Sequence, residues 1–418
     1  MKYRKMGLWG KRINWDVSAL GFGAMRLPTN EIEVDGEKKN VVDEKQSIGM
    51  IRYAIDNGVN YVDTAWMYMD GKSEEVVGKA LKDGYRSKVH LVTKLPIGQG
   101  FIKNEEDFDR IFRTQLDDRL QEDYLDLYLL HGLGGKSFAQ VKKLNIMEKM
   151  EKLKDEGKIK HIGFSFHDSF NTFKKIIDFY DWDACQVQYN YIDQNYQAGI
   201  RGVKYAAEKG IAVIIMEPLR GGKLYIDEKN LNENSPGIKK ILDESSVKRS
   251  LPDWALQFVW NHPEVSVVLS GMSNMQQVQE NIESANNSGI NSLTKNELDT
   301  IENLKSAFAK VIFIVPCTSC QYCMPCPEGL NIPTMFNILN QFNQYGEGTR
   351  AGFEGYYKTL PKTQEDLEKS GRPNTGAANL CVKCGECLEK CPQQIEIPDE
   401  LEKVVEIFEN GKKVTDLF

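Results

Sequence analysis

The sequence predicts an α/β chain: a (β/α)₈ (TIM) barrel followed by a small, mainly helical, cysteine-rich domain. Three observations lead there. Short apolar, β-branched runs alternate with helical patterns eight times over about 290 residues, the length and rhythm of such a barrel. Of nine cysteines only Cys185 precedes residue 317; the rest fall in two tight groups, 317–326 and 381–391. The 418 residues also exceed one ordinary core. The expected domains are a barrel over 1–310 and a tail over 311–418.

In chain order, an N-terminal hairpin precedes a first strand at 19–23 (ALGFG). Residues 28–40 are polar and read as a loop leading to a helix at 44–56. Residues 59–62 follow Gly58 and form a short buried strand that ends at Asp63, with Tyr68 in the loop beyond. Ser73 is placed to cap the next helix, and Glu74 and Glu75 complement the positive end of its dipole. Val76, Val77, Ala80 and Leu81 give that helix an apolar stripe. The third strand, 89–93, ends at Lys94 and precedes a helix at 105–120. The fourth, 124–130, ends at His131 and precedes a helix at 141–155. Residues 159–164, 184–188, 211–216 and 265–269 complete the eight, with helices including 247–260, 275–284 and 293–308. A doubly wound sheet shares this alternation, but the first strand–helix junction, GFGAMRLPTN, lacks the G-x-G-x-x-G fingerprint.

Lys+Arg total 53 against Asp+Glu 60, a net charge of −7, which argues against a nucleic-acid or membrane-surface role. The start, MKYRKMGLWGKRINW, has no apolar signal core and no later run approaches a membrane span, so a cytoplasmic location is expected. Without a secretory signal, clustered cysteines favour metal ligation over disulfides.

In a barrel the carboxyl ends of the strands converge on one face, where chemistry is built. Asp63, Lys94 and His131 end strands two to four, and Tyr68 follows strand two. Singly, each has a plain structural reading: a capping Asp, a packed loop Tyr, a solvated Lys, a core His. Together they are a coherent acid–base set. Asp63 would hold Lys94 charged, and the ammonium would lower the phenol pKa of Tyr68. His131 would donate to a carbonyl oxygen that Tyr68 protonates as a hydride reaches the carbon. His167, in FSFHDSF, either contacts substrate or caps the following helix, with the cap favoured; Cys185 reads as a small core residue.

The segments DTAWMY…G-x-SEE-x-x-G-x-x-L, LVTKLP and LLHG are similar to the catalytic segments of the aldo-keto reductases, over about residues 15–305. The resemblance implies Asp63, Tyr68, Lys94 and His131 as the catalytic tetrad and NADP or NAD as cofactor. Gly23, Met25 and Asp63 would line the cofactor. Ser165 and Gln186 would hold the carboxamide, with Phe166 where an Asn is usual. Met216 stands in place of a tyrosine that often stacks under the nicotinamide. Pro218, Leu219, Gly222 and Leu224 of PLRGGKL would line the pyrophosphate. Gly271, Ser273, Gln277, Glu280 and Asn281 of SGMSNMQQVQEN would face the adenosine. Gly271 and Gln277 stand where Lys and Arg commonly clamp a 2′-phosphate, which leaves NAD and NADP both open.

In the tail, Cys381-x₂-Cys384-x₂-Cys387-x₃-Cys391-Pro392 is the bacterial ferredoxin run for a 4Fe–4S cluster. Cys317-x₂-Cys320-x₂-Cys323-x₂-Cys326-Pro327 is the same run one residue shorter. In two-cluster ferredoxins the fourth cysteine of each run serves the other cluster. That assigns Cys317, Cys320, Cys323 and Cys391 to one cluster and Cys326, Cys381, Cys384 and Cys387 to the other. Zinc is the competing ligand, since Cys₄ sites also use C-x₂-C pairs. Between the runs, helices are expected at 335–342 and 363–370 around a Gly-rich aromatic stretch at 345–357, with a last helix at 400–408. The intervening segment reads as a lid or a docking surface. The whole chain resembles the branch of aldo-keto reductases with a C-terminal dicluster ferredoxin-like domain. That implies a redox enzyme acting on a small carbonyl or alcohol, with a ferredoxin or other redox protein as a further partner. The alternative is an electron-transfer module whose barrel is a non-catalytic scaffold and whose clusters are structural or a relay.

Overall fold

The computed structural model describes the chain except residues 9, 35–36, 99, 313, 318–322 and 392–394. Eight parallel strands close into a barrel: β1 (Leu20–Gly23), β2 (Tyr61–Asp63), β3 (His90–Pro96), β4 (Leu125–Leu133), β5 (Ile159–Phe166), β6 (Ala184–Gln188), β7 (Ala212–Met216) and β8 (Val265–Gly271). Each pairs with its sequence neighbours, and β8 pairs with β1 to close the ring. Nearly every strand residue is buried, as expected where helices cover one face and the barrel interior the other. The register places Asp63 opposite Gly23, Lys94 opposite Leu129, and His131 opposite Pro96. Those three side chains therefore leave adjacent strands near one end of the barrel.

The other end is sealed by the N-terminal hairpin, Tyr3–Lys5 paired with Asp16–Ser18. Met6, Ile13 and Val17 pack against the interior residues Tyr61, Val92, Leu127, Ile214 and Val267. Trp15 stacks on His90 with ring centroids 3.9 Å apart. Burial on this scale, about 25 cal/mol per Å² of apolar surface, anchors the barrel floor.

Several local expectations need correction. Residues 28–40 are not a loop: Thr29–Val34 and Glu37–Val42 form an antiparallel ribbon. Its exposed Ile32 and Val41 hide the alternation that marks a strand, although Asp-Gly at 35–36 is a strong hairpin signal. Ser73 does not cap its helix, Lys72–Ala80, whose N-cap is Gly71. Its hydroxyl instead donates to Ala24 O at 2.7 Å and meets Thr64 Oγ1 at 2.7 Å. Glu74 and Glu75 do stand in the first turn of that helix, and Glu74 is in addition fully buried in an ion pair with Arg119. The expected helix at 105–120 is α-helical over Glu105–Arg113 and π-helical over Thr114–Leu120. The expected helix at 141–155 is two, Gly135–Lys143 and Ile146–Asp155, joined through left-handed Asn145. The helix expected from 247 starts at Leu251, capped by Ser250.

The chain divides into two compact units, one of residues 1–225 and 249–298, the other of 226–248 and 299–418. In the second, helices Ile332–Tyr345 and Ile397–Phe408 pack around Leu339, Phe342, Leu401 and Val404. Both start with Pro in the first turn, in the repeated sequence Cys-Pro-x-x-apolar-x-Ile-Pro that follows each cysteine run. The Gly-rich aromatic stretch at 345–357 holds a 3₁₀ turn and most of the helix Arg350–Lys358. A parallel bridge between Leu330 and Gly376 ties the end of the first run to the approach of the second. Among the described residues no helix is long and apolar enough to cross a membrane.

Candidate functional site

A cleft with ≈ 320 Å³ of interior space opens where the strand ends converge. Lys94 lies fully buried at its base. Its three ammonium hydrogens have three acceptors: Asp63 Oδ1 at 2.5 Å, Thr64 O at 2.8 Å and Tyr68 Oη at 3.2 Å. Burial pushes the ammonium pKa down, but Asp63 and Tyr68 more than offset it, so Lys94 stays charged. For Tyr68 the balance runs the other way. Burial raises the phenol pKa, and the pull of Lys94 does not cancel that rise. The expected net lowering of the Tyr68 pKa is thus corrected: the phenol is more firmly protonated than an ordinary tyrosine. His131 lies edge-on to Tyr68 with ring centroids 5.9 Å apart. Burial and the nearby Lys94 charge push its pKa down to about 3, so the imidazole is neutral.

Immediately after Tyr68 the backbone is strained. Met69, Asp70 and Gly71 all have left-handed φ, at 53°, 54° and 87°, a region that costs non-glycine residues roughly 1–2 kcal/mol each.

In the second unit, Cys323, Cys326, Cys381, Cys384 and Cys387 line one small cavity together with Leu330, Ile332 and Pro398. The thiols of Cys381 and Cys387 each feel the charge of Cys326 and Cys384. Cys323 and Cys326, from the first run, therefore share that cavity with three cysteines of the second, and Cys326 is the one whose charge the second-run thiols feel. Cys317 and Cys391 pack against the same core, and Cys320 lies outside the described residues. Cys384 is exposed.

Residues 19–305 match the aldo/keto reductase family. The chain belongs to that family. Residues 316–396 match a 4Fe-4S dicluster domain. An uncharacterised oxidoreductase of Bacillus subtilis is 27% identical over 326 residues, 72% of this chain and 96% of that protein. The holo form of an aldo-keto reductase from Bacillus halodurans superposes with a TM-score of 0.57 at 28% identity, covering 73% of this chain and 96% of its own. An aldo/keto reductase of Klebsiella pneumoniae, solved with NADP and acetate, gives 0.55 at 26% identity, covering 73% and 95%.

The aldo-keto reductase cleft gathers many of the expected cofactor residues. Gly23, Met25, Asp63, Ser165, Gln186 and Met216 line it, as do Pro218, Leu219, Gly222 and Gly271. Asp63 Oδ2 and Gln186 Oε1 are buried without hydrogen-bond partners, the unmet polar demand that an amide-bearing ligand would satisfy. Gly222 and Gly271 keep the wall open to close backbone approach. These residues fit a nicotinamide dinucleotide. The remaining expected contacts lie off the lining. Leu224 is fully buried, and Ser273 donates to Arg26 O at 2.9 Å. Gln277 accepts from Ser273 N, Glu280 pairs with Gln276, and Asn281 holds Ser270 Oγ at 2.8 Å. Phe166 is buried among Phe164 and Phe173 and does not reach the cleft.

Arg26, Glu217, Gly221, Leu269 and Ser270 line the cleft beyond the expected residues, and His167 lines it against the favoured capping role. Arg26 lies across Gly221, Gly222 and Gly271; a Cβ on Gly271 would meet its side chain at 3.4 Å. Glu217 brings a carboxylate whose pKa is raised, first by burial and then by Asp193. His167 lines the cleft and does not cap the next helix, a task done by Ser169. The available signal was a charged residue inside each glycine-containing strand-end segment, GFGAMRLP and MEPLRGG.

For the tail, five cysteines line one cavity and supply the soft thiolate chemistry that an iron–sulfur cluster takes, although among the described residues no three or more His, Cys, Asp or Glu are gathered so as to hold a metal ion.

Proposed function

We propose that this aldo-keto reductase interconverts a small-molecule carbonyl and its alcohol with NADP or NAD, and that two 4Fe–4S clusters in the tail exchange single electrons with that reaction. The observation that carries the proposal is the contact of Tyr68 Oη with the buried Lys94–Asp63 pair at the base of the cleft. Tyr68, kept protonated by burial, gives its proton to the carbonyl oxygen. Lys94 stabilises the phenolate left behind, and Asp63 keeps Lys94 charged. Neutral His131 carries one N–H for the same oxygen and adds no competing charge. A bound nicotinamide supplies or takes the hydride, and clusters on the tail cysteines carry electrons singly. Ser165, Gln186 and Met216 would hold the nicotinamide, and Pro218, Leu219 and Gly222 the pyrophosphate. Gly271, Ser273, Gln277, Glu280 and Asn281 would frame the adenosine end. The charge that Cys326 exerts on Cys381 and Cys387 supports crossed ligation of those three with Cys384, with Cys317, Cys320, Cys323 and Cys391 for the second cluster. The Klebsiella relative bound to NADP supports the cofactor class. A ferredoxin or other redox protein is the proposed electron partner.

The test is anaerobic. Holoprotein is mixed with NADPH or NADH and 4-nitrobenzaldehyde, an electron-poor carbonyl, and then with a one-electron viologen acceptor. Oxidation of the nicotinamide by the aldehyde, and bleaching of the cluster absorption that the viologen reverses, are expected. No oxidation with this or a panel of other aldehydes and ketones would overturn the enzyme reading. Clusters that stay oxidised throughout would overturn the coupling.

A further inference from the structure

We propose that the partly buried Arg119 and the buried Glu74 form a clamp that holds the Tyr68 loop in its working conformation. Both are positioning residues, and the inference rests on the proton-donor reading of Tyr68. Two adjacent non-glycine residues in the left-handed region, Met69 and Asp70, persist only where their surroundings hold them. One guanidinium does so from both sides of Tyr68. Arg119 Nη1 donates to Trp66 O at 3.0 Å, two residues before, and its Cζ lies 3.9 Å from the Trp66 ring centroid. Three residues after, Gly71 abuts the same group; a Cβ there would lie 2.9 Å from Arg119 Nη2.

Glu74 fixes that guanidinium. Its Oε2 accepts from Arg119 Nη1 at 2.9 Å, and its Oε1 accepts from Thr93 Oγ1 at 2.6 Å and Gln115 Nε2 at 2.5 Å. Gln115 Nε2 also donates to Lys94 O at 3.1 Å. One buried carboxylate therefore joins the loop that carries the phenol to the strand that carries the ammonium. The close packing this needs is built in at Gly78, where a Cβ would stand 2.4 Å from Leu120 O on the π-helical segment. A clamp that serves only the fold would lower stability and leave each folded molecule's kinetics alone. A clamp that positions Tyr68 sets the geometry of proton transfer.

Arg119→Lys separates the two, because it keeps a cation beside Glu74 but loses the planar fork over Trp66. In the holoprotein, hydrogen exchange of the amides at 66–72 should speed up roughly tenfold while that of the barrel strands is unchanged. With NADPH and 4-nitrobenzaldehyde, kcat should fall about 10- to 100-fold with KM and the NADPH dissociation constant held. Arg119→Lys combined with Tyr68→Phe should be no slower than Tyr68→Phe alone, since the clamp acts through the phenol. Glu74→Gln, which removes the charge that fixes Arg119 and leaves residues 66–72 unaltered, should reproduce the exchange signature and serves if Arg119→Lys does not fold. Unchanged exchange and kcat, or losses that multiply in the double variant, would overturn the clamp. If Tyr68→Phe alone retains turnover, the proton-donor reading fails, and faster or unchanged exchange at 66–72 decides the clamp by itself.

Discussion

Tyr68→Phe removes one oxygen from the base of the cleft and tests the proton-donor assignment directly. The structural loss is small. Lys94 gives up its hydrogen bond to Tyr68 Oη but keeps those to Asp63 Oδ1 and Thr64 O, so stability should fall by only about 0.5–1.5 kcal/mol. The chemical loss is larger: removing a general acid costs about 10²–10⁴-fold in turnover, or roughly 2.7–5.4 kcal/mol of barrier. The two effects differ enough that folded, NADPH-binding protein should turn over carbonyl poorly. A pH series adds a second readout. Because burial raises the Tyr68 pKa, the acid form persists through neutrality, and the reduction rate should fall only as pH rises through that raised value. The variant should lack this alkaline limb. The assay follows loss of reduced nicotinamide absorbance with an aldehyde in excess, alongside NADPH titration by fluorescence. Turnover within about threefold of the parent, far from the general-acid range, or an alkaline limb that survives in the variant, would refute the assignment.

Lys94→Met should destabilise the barrel by about 3–5 kcal/mol, by leaving the Asp63 carboxylate buried and unpaired; Lys94→Met with Asp63→Leu should regain most of that in urea unfolding but no activity. His131 has a folded pKa of about 3 against an ordinary 6.5, so the unfolded chain takes up a proton that the folded barrel refuses. Its contribution to stability is therefore present above pH 6.5 and lost as pH falls, by at most about 2 kcal/mol between pH 7 and pH 5, and His131→Asn should flatten that part of the urea-midpoint profile. Cys326→Ser should cost about four of roughly eight irons per chain, Cys384→Ser the same four, and the double variant no more. Loss of all iron in the double variant would mean that the two cysteines serve different clusters.

The barrel was legible because its evidence is local. Strands buried on both faces appear as short apolar runs, and Tyr61–Asp63 and Ala184–Gln188 stand where such runs were read. Boundaries drifted where pairing carried a strand onward, as in Leu125–Leu133, which runs through His131 because β3 and β5 flank it. The ribbon at Thr29–Val42 escaped because a two-stranded surface hairpin needs no buried face, and so leaves little hydrophobic pattern. Ser73 was given a local capping role that its residue type allows but bonds Ala24 instead, and Glu74 adds an ion pair with Arg119 to its place in the first helical turn; both partners appear only once the barrel has closed.

By itself, the sequence determined the fold class, the residue types at the strand ends and the metal-binding character of the tail. These follow from short-range periodicity and from the close thiol spacing that cluster chemistry demands. Tertiary structure decided the rest. It set the direction of the Tyr68 pKa, because burial and the Lys94 charge oppose each other and only packing says which is larger. It brought Arg26, Glu217 and His167 into the cleft, and Arg119 against the loop of Tyr68, from segments 42 to 149 positions away along the chain from that tyrosine. It drew Cys326 into the company of the second run through the Leu330–Gly376 bridge. Each of these is a sum over neighbours far apart in sequence, and no window of residues contains that sum.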